Sequence, residues 1–263
     1  MGSPGKPARF VRMTVEGAVR FGRIDGDRVA LYAGDPIAGA AADGKSVPFD
    51  ARLLGVPCVP SKILGVGTNY RAHALEMKKP LPDEPLLFFK PPTALLPALA
   101  PIVRPRGYQR TDYEGELGVV IGRRARRVRE SEALDYVFGY TIVNDVTVRD
   151  LQKKDGQFTR AKGFDTFCPV GPWIVSGGGL DAGDLRLVTR LNGVVKQDSR
   201  TSDLIFSIAK VIEVASRVMT LEPGDLISTG TPSGVGPIAP GDTVEIEIEQ
   251  IGTLKNPVVE EAE

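Results

Sequence analysis

Three carboxylates lie where polar sequence meets two apolar segments: Glu114, Glu116 and Asp145. Glu114 and Glu116 are two positions apart in DYEGELGVV, at the start of a predicted strand, so both side chains point to one face. Neighbouring carboxylates repel each other unless a positive charge lies between them. An all-oxygen set suits Mg²⁺, Mn²⁺ or Ca²⁺ better than Zn²⁺. A solvent-facing strand edge is the alternative, and the residues alone leave both interpretations open.

His73 is the only histidine among the 263 residues, and Glu76 follows it by three positions. This spacing places the two side chains on one face of a helical turn. A carboxylate can orient an imidazole and favour its charged form, which suits a general base. The alternative is a packed ring without a chemical role.

Other segments give weaker indications of chemistry. The Gly-rich segment STGTPSGVG, residues 228–236, is either a plain turn or a loop that binds an anion through backbone N–H groups. It has no lysine at the position that a nucleotide P-loop requires. The GVG at residues 65–67 is too short to indicate a dinucleotide fold. A Gly-x-Ser-x-Gly elbow does not occur, which argues against a serine nucleophile.

Composition excludes several classes of protein. Lys plus Arg and Asp plus Glu both number 33, so the formal net charge is zero, which argues against a nucleic-acid partner. Cys58 and Cys168 have neither metal-type spacing nor a disulfide framework, so we expect a reducing cytoplasm. The most apolar run, TALLPALAPIV, is interrupted by prolines and is too short to span a membrane. We therefore expect a soluble protein.

The elements that must position these residues are mostly strands. The segment FVRMTVEGAVRFGRIDGDRVALY alternates apolar and polar positions around Glu16-Gly17 and Asp25-Gly26, which predicts an antiparallel meander. We assign residues 1–58 to a small N-terminal β domain. The Pro-rich VPCVPSK then connects to a second domain, residues 59–263. Asn192-Gly193 predicts a hairpin in that domain.

One clear helix is predicted, in SDLIFSIAKVIEVASRVM, with Ser202 or Asp203 as its N-cap. Its apolar positions at helical spacing extend to Val218. Because the strands lack regular intervening helices, the pattern favours an α+β, mostly β fold over a doubly wound parallel sheet.

Five motifs together resemble the fumarylacetoacetate hydrolase family. They are ILGVGTNYRAHALEM, LFFKPPTAL, DYEGELGVVIGR, GYTIVNDVTVRDLQKKDGQFTRAKGFDTFCPVGPWIV and LISTGTPSGVGP…LKNPV, in the family's order over residues 60–257. The resemblance implies that family's mixed β-sandwich roll for the catalytic domain, 59–263. It also matches the small N-terminal β domain to one found in many bacterial members.

The resemblance implies a metal centre. Glu114, Glu116 and Asp145 match the family's metal carboxylates, with Mg²⁺ or Mn²⁺ as the expected cofactor and Ca²⁺ as a substitute in crystals. Lys162, in RAKGFD, matches a lysine that faces the metal-bound substrate.

The resemblance also implies substrate and catalytic residues. Gln152 matches a glutamine of the same pocket, and Thr231, in TGTP, matches a residue on the substrate carboxylate. His73 and Glu76 match the catalytic pair of the hydrolytic members, carried on a short helical lid. The resemblance therefore favours a base over a packed ring for His73.

The implied activity is hydrolytic C–C cleavage of an acylpyruvate, a 2-oxo acid, through a metal-stabilised enolate. The family also contains isomerases of 2-hydroxyhepta-2,4-diene-1,7-dioate and 5-carboxymethyl-2-hydroxymuconate, oxaloacetate decarboxylases and sugar-acid dehydratases, and the metal set does not distinguish them. A non-enzymatic 2-oxo acid binder is a further alternative, against which the His73–Glu76 pair and Lys162 argue. We expect a homodimer from the resemblance, a role in aromatic catabolism, and no membrane partner.

Overall fold

A computed structural model describes residues 7–78, 80–177 and 179–262 of the chain. The strands, in chain order, are β1 Ala8–Val15, β2 Ala18–Asp25, β3 Arg28–Tyr32, β4 Ala42–Pro48, β5 Ile63–Gly67, β6 Leu86–Lys90, β7 Leu95–Leu96, β8 Ile102–Arg104, β9 Thr111–Tyr113, β10 Gly115–Ile121, β11 Val137–Asn144, β12 Thr147–Val148, β13 Cys168–Ser176, β14 Arg186–Leu191, β15 Val194–Arg200, β16 Leu226–Ser228, β17 Gly236–Pro237, β18 Thr243–Ile248 and β19 Gly252–Glu260. The α-helices are α1 Arg71–Glu76, α2 Arg149–Asp155, α3 Thr159–Lys162 and α4 Ile208–Val218. Short 3₁₀ turns lie at Ala51–Leu53, Pro92–Ala94, Glu130–Tyr136 and Thr201–Asp203.

Two large sheets form the body of the protein. The first runs in the order β4-β3-β2-β1-β13-β11-β10-β16-β5-β6, with β7 beside β13, and the second in the order β15-β14-β18-β19-β8. Strands β10, β11 and β13 contact β14, β18 and β19, which brings the two sheets together. The first sheet is mixed, because β16 and β5 pair in parallel. The predicted mostly β, α+β fold is confirmed.

The N-terminal strands form the predicted antiparallel meander. Glu16 and Gly17 have positive φ angles and turn β1 into β2, while Gly26 does so between β2 and β3. The meander also continues the first sheet, because β1 pairs with β13 in a register that places Ala8 opposite Ser176. It nevertheless has a small core of its own, formed by Val11, Met13, Val29, Leu31 and Leu54. The domain boundary at residue 58 stays a prediction.

The predicted helix is shorter than the pattern indicated. Ser207 is the N-cap, accepting a hydrogen bond from the Lys210 N–H at 3.1 Å, so the prediction of Ser202 or Asp203 was wrong. The chain enters the helix extended because Asn69 accepts hydrogen bonds from the N–H groups of residues 205 and 206, each at 2.8 Å. In the described ranges, every helix is too short or too polar to cross a bilayer.

The Asn192-Gly193 hairpin is confirmed between β14 and β15, with positive φ angles at both residues. Cys58 and Cys168 are both buried and free of disulfides, as predicted. The cytoplasmic location inferred from them stays a prediction.

Candidate active site

The three predicted metal carboxylates meet where β10 begins and β11 ends. These strands pair antiparallel with Gly115 opposite Asn144, so Glu114, just before β10, lies beside Asp145, just after β11. The Asp145 N–H donates to the Glu114 carbonyl at 2.8 Å, and the Asn144 side chain accepts from the Glu114 N–H at 2.9 Å. One oxygen from each of Glu114, Glu116 and Asp145 lies within 4.8 Å of the other two, and all three residues are buried. They are therefore not a solvent-facing strand edge.

The electrostatics of this cluster fit a divalent cation. Burial, followed by the charges of Asp145 and Glu114, raises the pKa of Glu116 to about 8. Glu116 is held by hydrogen bonds from the Ser228 hydroxyl at 2.6 Å and the Gly230 N–H at 2.8 Å. A bound cation would relieve the repulsion that otherwise favours a proton on Glu116. The donors are hard oxygens, as Mg²⁺ and Mn²⁺ prefer.

Lys162 is the predicted cation beside this cluster. Its ammonium group donates to Glu114 at 2.7 Å, to Asp145 at 2.5 Å and to the Thr147 hydroxyl at 2.9 Å. Burial alone would lower the pKa of Lys162, but the charges of Asp145 and Glu114 outweigh it and raise the pKa. Lys162 is therefore charged at neutral pH and offsets part of the negative charge.

Lys90 is a second buried cation at the site, and sequence patterns did not identify it. It ends β6 with a fully buried side chain, and its ammonium group donates to Asp145 at 2.5 Å and to the Phe167 carbonyl at 2.9 Å. The signal was a lysine at the end of the apolar run LLFFK, because a lysine that becomes buried needs a charged partner. Each carboxylate oxygen of Asp145 thus contacts a lysine.

We predict that Lys90→Met lowers the free energy of unfolding by about 3 kcal/mol, because removing one partner leaves the other charge buried without compensation. Urea denaturation measures this loss. Lys255→Met is the matched control, since the Lys255–Glu245 pair is half-exposed and worth at most about 1 kcal/mol. Equal losses in both variants would contradict the structural role of Lys90.

Arg149 is a third buried cation at the cluster, and sequence patterns did not identify it either. Its guanidinium donates to Asp112 at 2.8 Å, to Glu114 at 2.5 Å and to the Gln152 side chain at 2.8 Å. Burial would raise the pKa of Glu114, but the charges of Lys162 and Arg149 outweigh it and hold the pKa below its usual value. The predicted substrate residue Gln152 is thus fixed by Arg149 at the start of α2.

Thr231 lies in the Gly-rich segment between β16 and β17. Its hydroxyl donates to the Gly115 carbonyl at 2.9 Å and accepts from Gln197 at 2.8 Å. Gln197 also accepts from the Gly115 N–H at 3.1 Å, so it ties this segment to the first residue of β10. The contact of Thr231 with a substrate carboxylate stays a prediction.

His73 and Glu76 lie on α1, the short helix expected as a lid. The His73 Nδ1 atom is 3.1 Å from a Glu76 carboxylate oxygen, and the His73 side chain is buried. The Gly234 N–H donates to the other Glu76 oxygen at 3.1 Å, which attaches the helix to the Gly-rich segment. The predicted pair is therefore formed, and Gly234 is a further contact that spacing did not reveal.

The structure brings the predicted residues together in one cavity. His73, Gln152, Lys162, Thr231 and the three carboxylates all line it. Glu76 is the exception, and it reaches the cavity through His73.

Three known proteins are similar to this chain. The chain is 46% identical to 5-carboxymethyl-2-hydroxymuconate delta-isomerase from Mycobacterium smegmatis, whose crystal structure matches with a TM-score of 0.89 over 96% of this chain and 100% of that one. It is 45% identical to oxaloacetate tautomerase YisK from Bacillus subtilis, over 76% of this chain and 70% of the tautomerase. Maleylpyruvate hydrolase from Sphingobium sp. SYK-6, solved with manganese(II) and pyruvate, is 33% identical with a TM-score of 0.80 over 97% and 100% of the two chains.

Family models match both parts of the chain. The N-terminal strands match the model "Rv2993c-like, N-terminal" over residues 8–54. The model "Fumarylacetoacetate (FAA) hydrolase C-terminal" matches residues 62–259, which include every site residue described above. The relatives are named as enzymes, and one holds a divalent metal. With the carboxylate cluster and the strand order, these matches show that the chain belongs to the fumarylacetoacetate hydrolase family.

Proposed function

We propose that this protein is a divalent-cation-dependent enzyme that hydrolyses the C–C bond of an acylpyruvate. The observation that carries the proposal is the His73–Glu76 pair beside the buried carboxylates, because hydrolysis requires a base for water as well as a site for the 2-oxo acid. Glu114, Glu116 and Asp145 would hold Mg²⁺ or Mn²⁺. The maleylpyruvate hydrolase bound to manganese and pyruvate supports this cofactor class.

The 2-oxo acid end of the substrate would lie against Lys162 and Thr231. When bound, the cation supplies Lewis-acid stabilisation of the negative charge that develops on the substrate oxygens. Lys162, held in place by Glu114 and Asp145, adds electrostatic stabilisation without reorganising. Gln152 is fixed by Arg149 and can donate its amide N–H to a substrate oxygen.

His73 would activate the water. Because Nδ1 is engaged by Glu76, proton transfer uses Nε2, and the Glu76 carboxylate stabilises the imidazolium that forms. Water adds to the distal carbonyl as His73 takes its proton. The bond between that carbon and the methylene then breaks, its electron pair stays with the pyruvate enolate, and the distal part leaves as a carboxylic acid. The enolate takes up one proton and leaves as pyruvate.

Keto–enol tautomerisation of oxaloacetate is the second candidate, and the 45% identity to oxaloacetate tautomerase YisK favours it. That reaction moves a proton and needs no attacking water. The same His73 could accept and return the proton. The two candidates therefore share the site but differ in their products.

Product analysis separates the candidates. We predict that the Mn²⁺-loaded protein converts 2,4-dioxopentanoate to acetate and pyruvate in equal amounts, measured by proton NMR. Enol-oxaloacetate decay, followed by ultraviolet absorbance, tests the tautomerase in parallel. Rapid enol decay without any acetate from the dioxo acid would contradict hydrolysis and support the second candidate.

We also propose that the protein is a homodimer and that it works in the cytoplasm. The family resemblance supports the first proposal and the free cysteines support the second. Light scattering at micromolar concentration tests the dimer, and a monomer would contradict it.

A further inference from the structure

Part of the lining of the active-site cavity is apolar. Phe88, Phe158 and Met77 line it together with the carboxylates. The Phe88 and Phe158 rings meet edge to face, with centroids 5.4 Å apart. The Lys162 ammonium lies 5.0 Å from the centroid of the Phe88 ring, so the aromatic side begins directly beside the polar side.

Strand β6 supplies one of the aromatic side chains of this apolar lining. Residues two apart on a strand share a face, so Lys90, Phe88 and Leu86 follow one another along it. Lys90 contacts Asp145, Phe88 lines the cavity, and Leu86 is half-exposed. The face therefore changes from charged to apolar with distance from the carboxylates.

The GVG segment of β5 makes room for these side chains. Gly65 lies opposite Phe88 in the pairing of β5 and β6. A Cβ atom at Gly65 would lie 2.1 Å from the Phe88 ring, and one at Gly67 would lie 3.4 Å from the Phe158 ring. Glycine at position 65 therefore leaves room for the Phe88 ring, which gives this motif a role in shaping the cavity.

The cationic side chains that line the cavity already pair with other side chains of the protein. Lys162 contacts Glu114, Asp145 and Thr147, and the Arg149 guanidinium contacts three side chains. Among the described residues that line this cavity, neither Lys nor Arg is left to pair with a further anion. A carboxylate at the far end of a substrate would lie against Phe88, Phe158 or Met77 without compensation, which is costly.

We infer that the substrate's far end is an uncharged alkyl or aryl group that lies on Phe88, Phe158 and Met77. The inference rests on the proposed function for the position of the 2-oxo acid end. It names the substrate class as 2,4-dioxo acids with an apolar tail. It separates this protein from relatives whose names indicate substrates with two carboxylates.

A matched pair of substrates tests the inference. 2,4-Dioxoheptanoate and 2,4-dioxoheptanedioate have the same chain length and differ only in ending with a methyl or a carboxylate. With the Mn²⁺-loaded protein we expect kcat/KM to be at least about 10-fold higher for the methyl-ended compound, the lower end of what apolar contacts discriminate. Equal values, or a preference for the dicarboxylate, would overturn the inference.

A binding measurement distinguishes a failure of the apolar-tail inference from a failure of the proposed function. Calorimetry with the Mn²⁺-loaded protein compares 2-oxohexanoate with 2-oxohexanedioate, neither of which can be cleaved. Tighter binding of 2-oxohexanoate without turnover of either dioxo acid would sink hydrolysis and keep the apolar tail site. Turnover of both dioxo acids with tighter binding of 2-oxohexanedioate would keep hydrolysis and overturn the tail site.

Variants of Phe158 locate the contact. Phe158→Ala should lower kcat/KM for 2,4-dioxoheptanoate about 10-fold and leave 2,4-dioxopentanoate, whose tail is one methyl, nearly unchanged. Phe158→Arg should raise the relative activity on the dicarboxylate. Phe21→Ala is the matched control, because Phe21 is half-buried on β2 and lies outside the cavity. Equal losses on the long and short substrates in both Phe158 variants would overturn the assignment.

Discussion

His73→Ala should lower kcat for acylpyruvate hydrolysis by at least about 10²-fold, the lower end of what a general base contributes. Its Nδ1 atom is engaged by Glu76, so the variant removes both the base and its orienting contact. Binding of oxalate, a mimic of the pyruvate enolate, should hardly change, because the carboxylate cluster and Lys162 would hold it. Decarboxylation of oxaloacetate should survive better, since it needs no attacking water.

The ratio of acylpyruvate hydrolysis to oxaloacetate decarboxylation in His73→Ala decides the role of His73. Glu76→Gln keeps the size of the side chain and removes its charge, so it should show a smaller loss of the same kind. A purely structural histidine instead predicts lower thermal stability and an equal fall in both activities. An unchanged ratio in His73→Ala would therefore rule out the hydrolytic base and favour the isomerase or decarboxylase alternatives.

Glu116→Ala should weaken Mn²⁺ binding by about 10²-fold or more, because even contacts behind the ligands of a metal are worth 10- to 100-fold. Calorimetric titration with Mn²⁺ measures this directly, and hydrolysis should not recover at millimolar Mg²⁺. The Ser228 hydroxyl and the Gly230 N–H, which hold Glu116, would lose their acceptor.

Two controls accompany this variant. Glu116→Gln keeps the shape of the side chain but not its charge, and it should bind Mn²⁺ almost as weakly. Glu247→Ala removes a half-exposed carboxylate paired with Arg190 and should bind Mn²⁺ like the wild type. Wild-type affinity in Glu116→Ala would show that the cation, if bound, lies elsewhere.

Local patterns predicted the parts of the fold that local chemistry determines. Alternation and the Glu16-Gly17 turn identified the meander, and Asn192-Gly193 identified a hairpin, because positive φ angles are required there. The helix cap was missed because the choice between Ser202 and Ser207 depends on Asn69, which is far away in sequence. The pairing of β1 with β13 is likewise set by distant contacts.

Local sequence patterns have the same limit at the active site, where they identified some residues and not others. Glu114 and Glu116 were identifiable because their spacing and the apolar residues after them indicate a shared face at a buried strand. Lys90 and Arg149 were not assigned, because nothing near them in sequence shows which carboxylates they contact. Gln197 orders the Gly-rich segment from 34 positions away, and only the folded chain brings it to Thr231.

Removal of metal from the wild-type protein tests the central claim most directly. The protein is dialysed against EDTA and then against metal-free buffer, and acetate release from 2,4-dioxopentanoate is followed as Mn²⁺ or Mg²⁺ is titrated back. We predict that the stripped protein is inactive and that activity returns in proportion to the bound cation, saturating near one per chain. Full activity in a protein shown by elemental analysis to be free of metal would contradict the proposed mechanism.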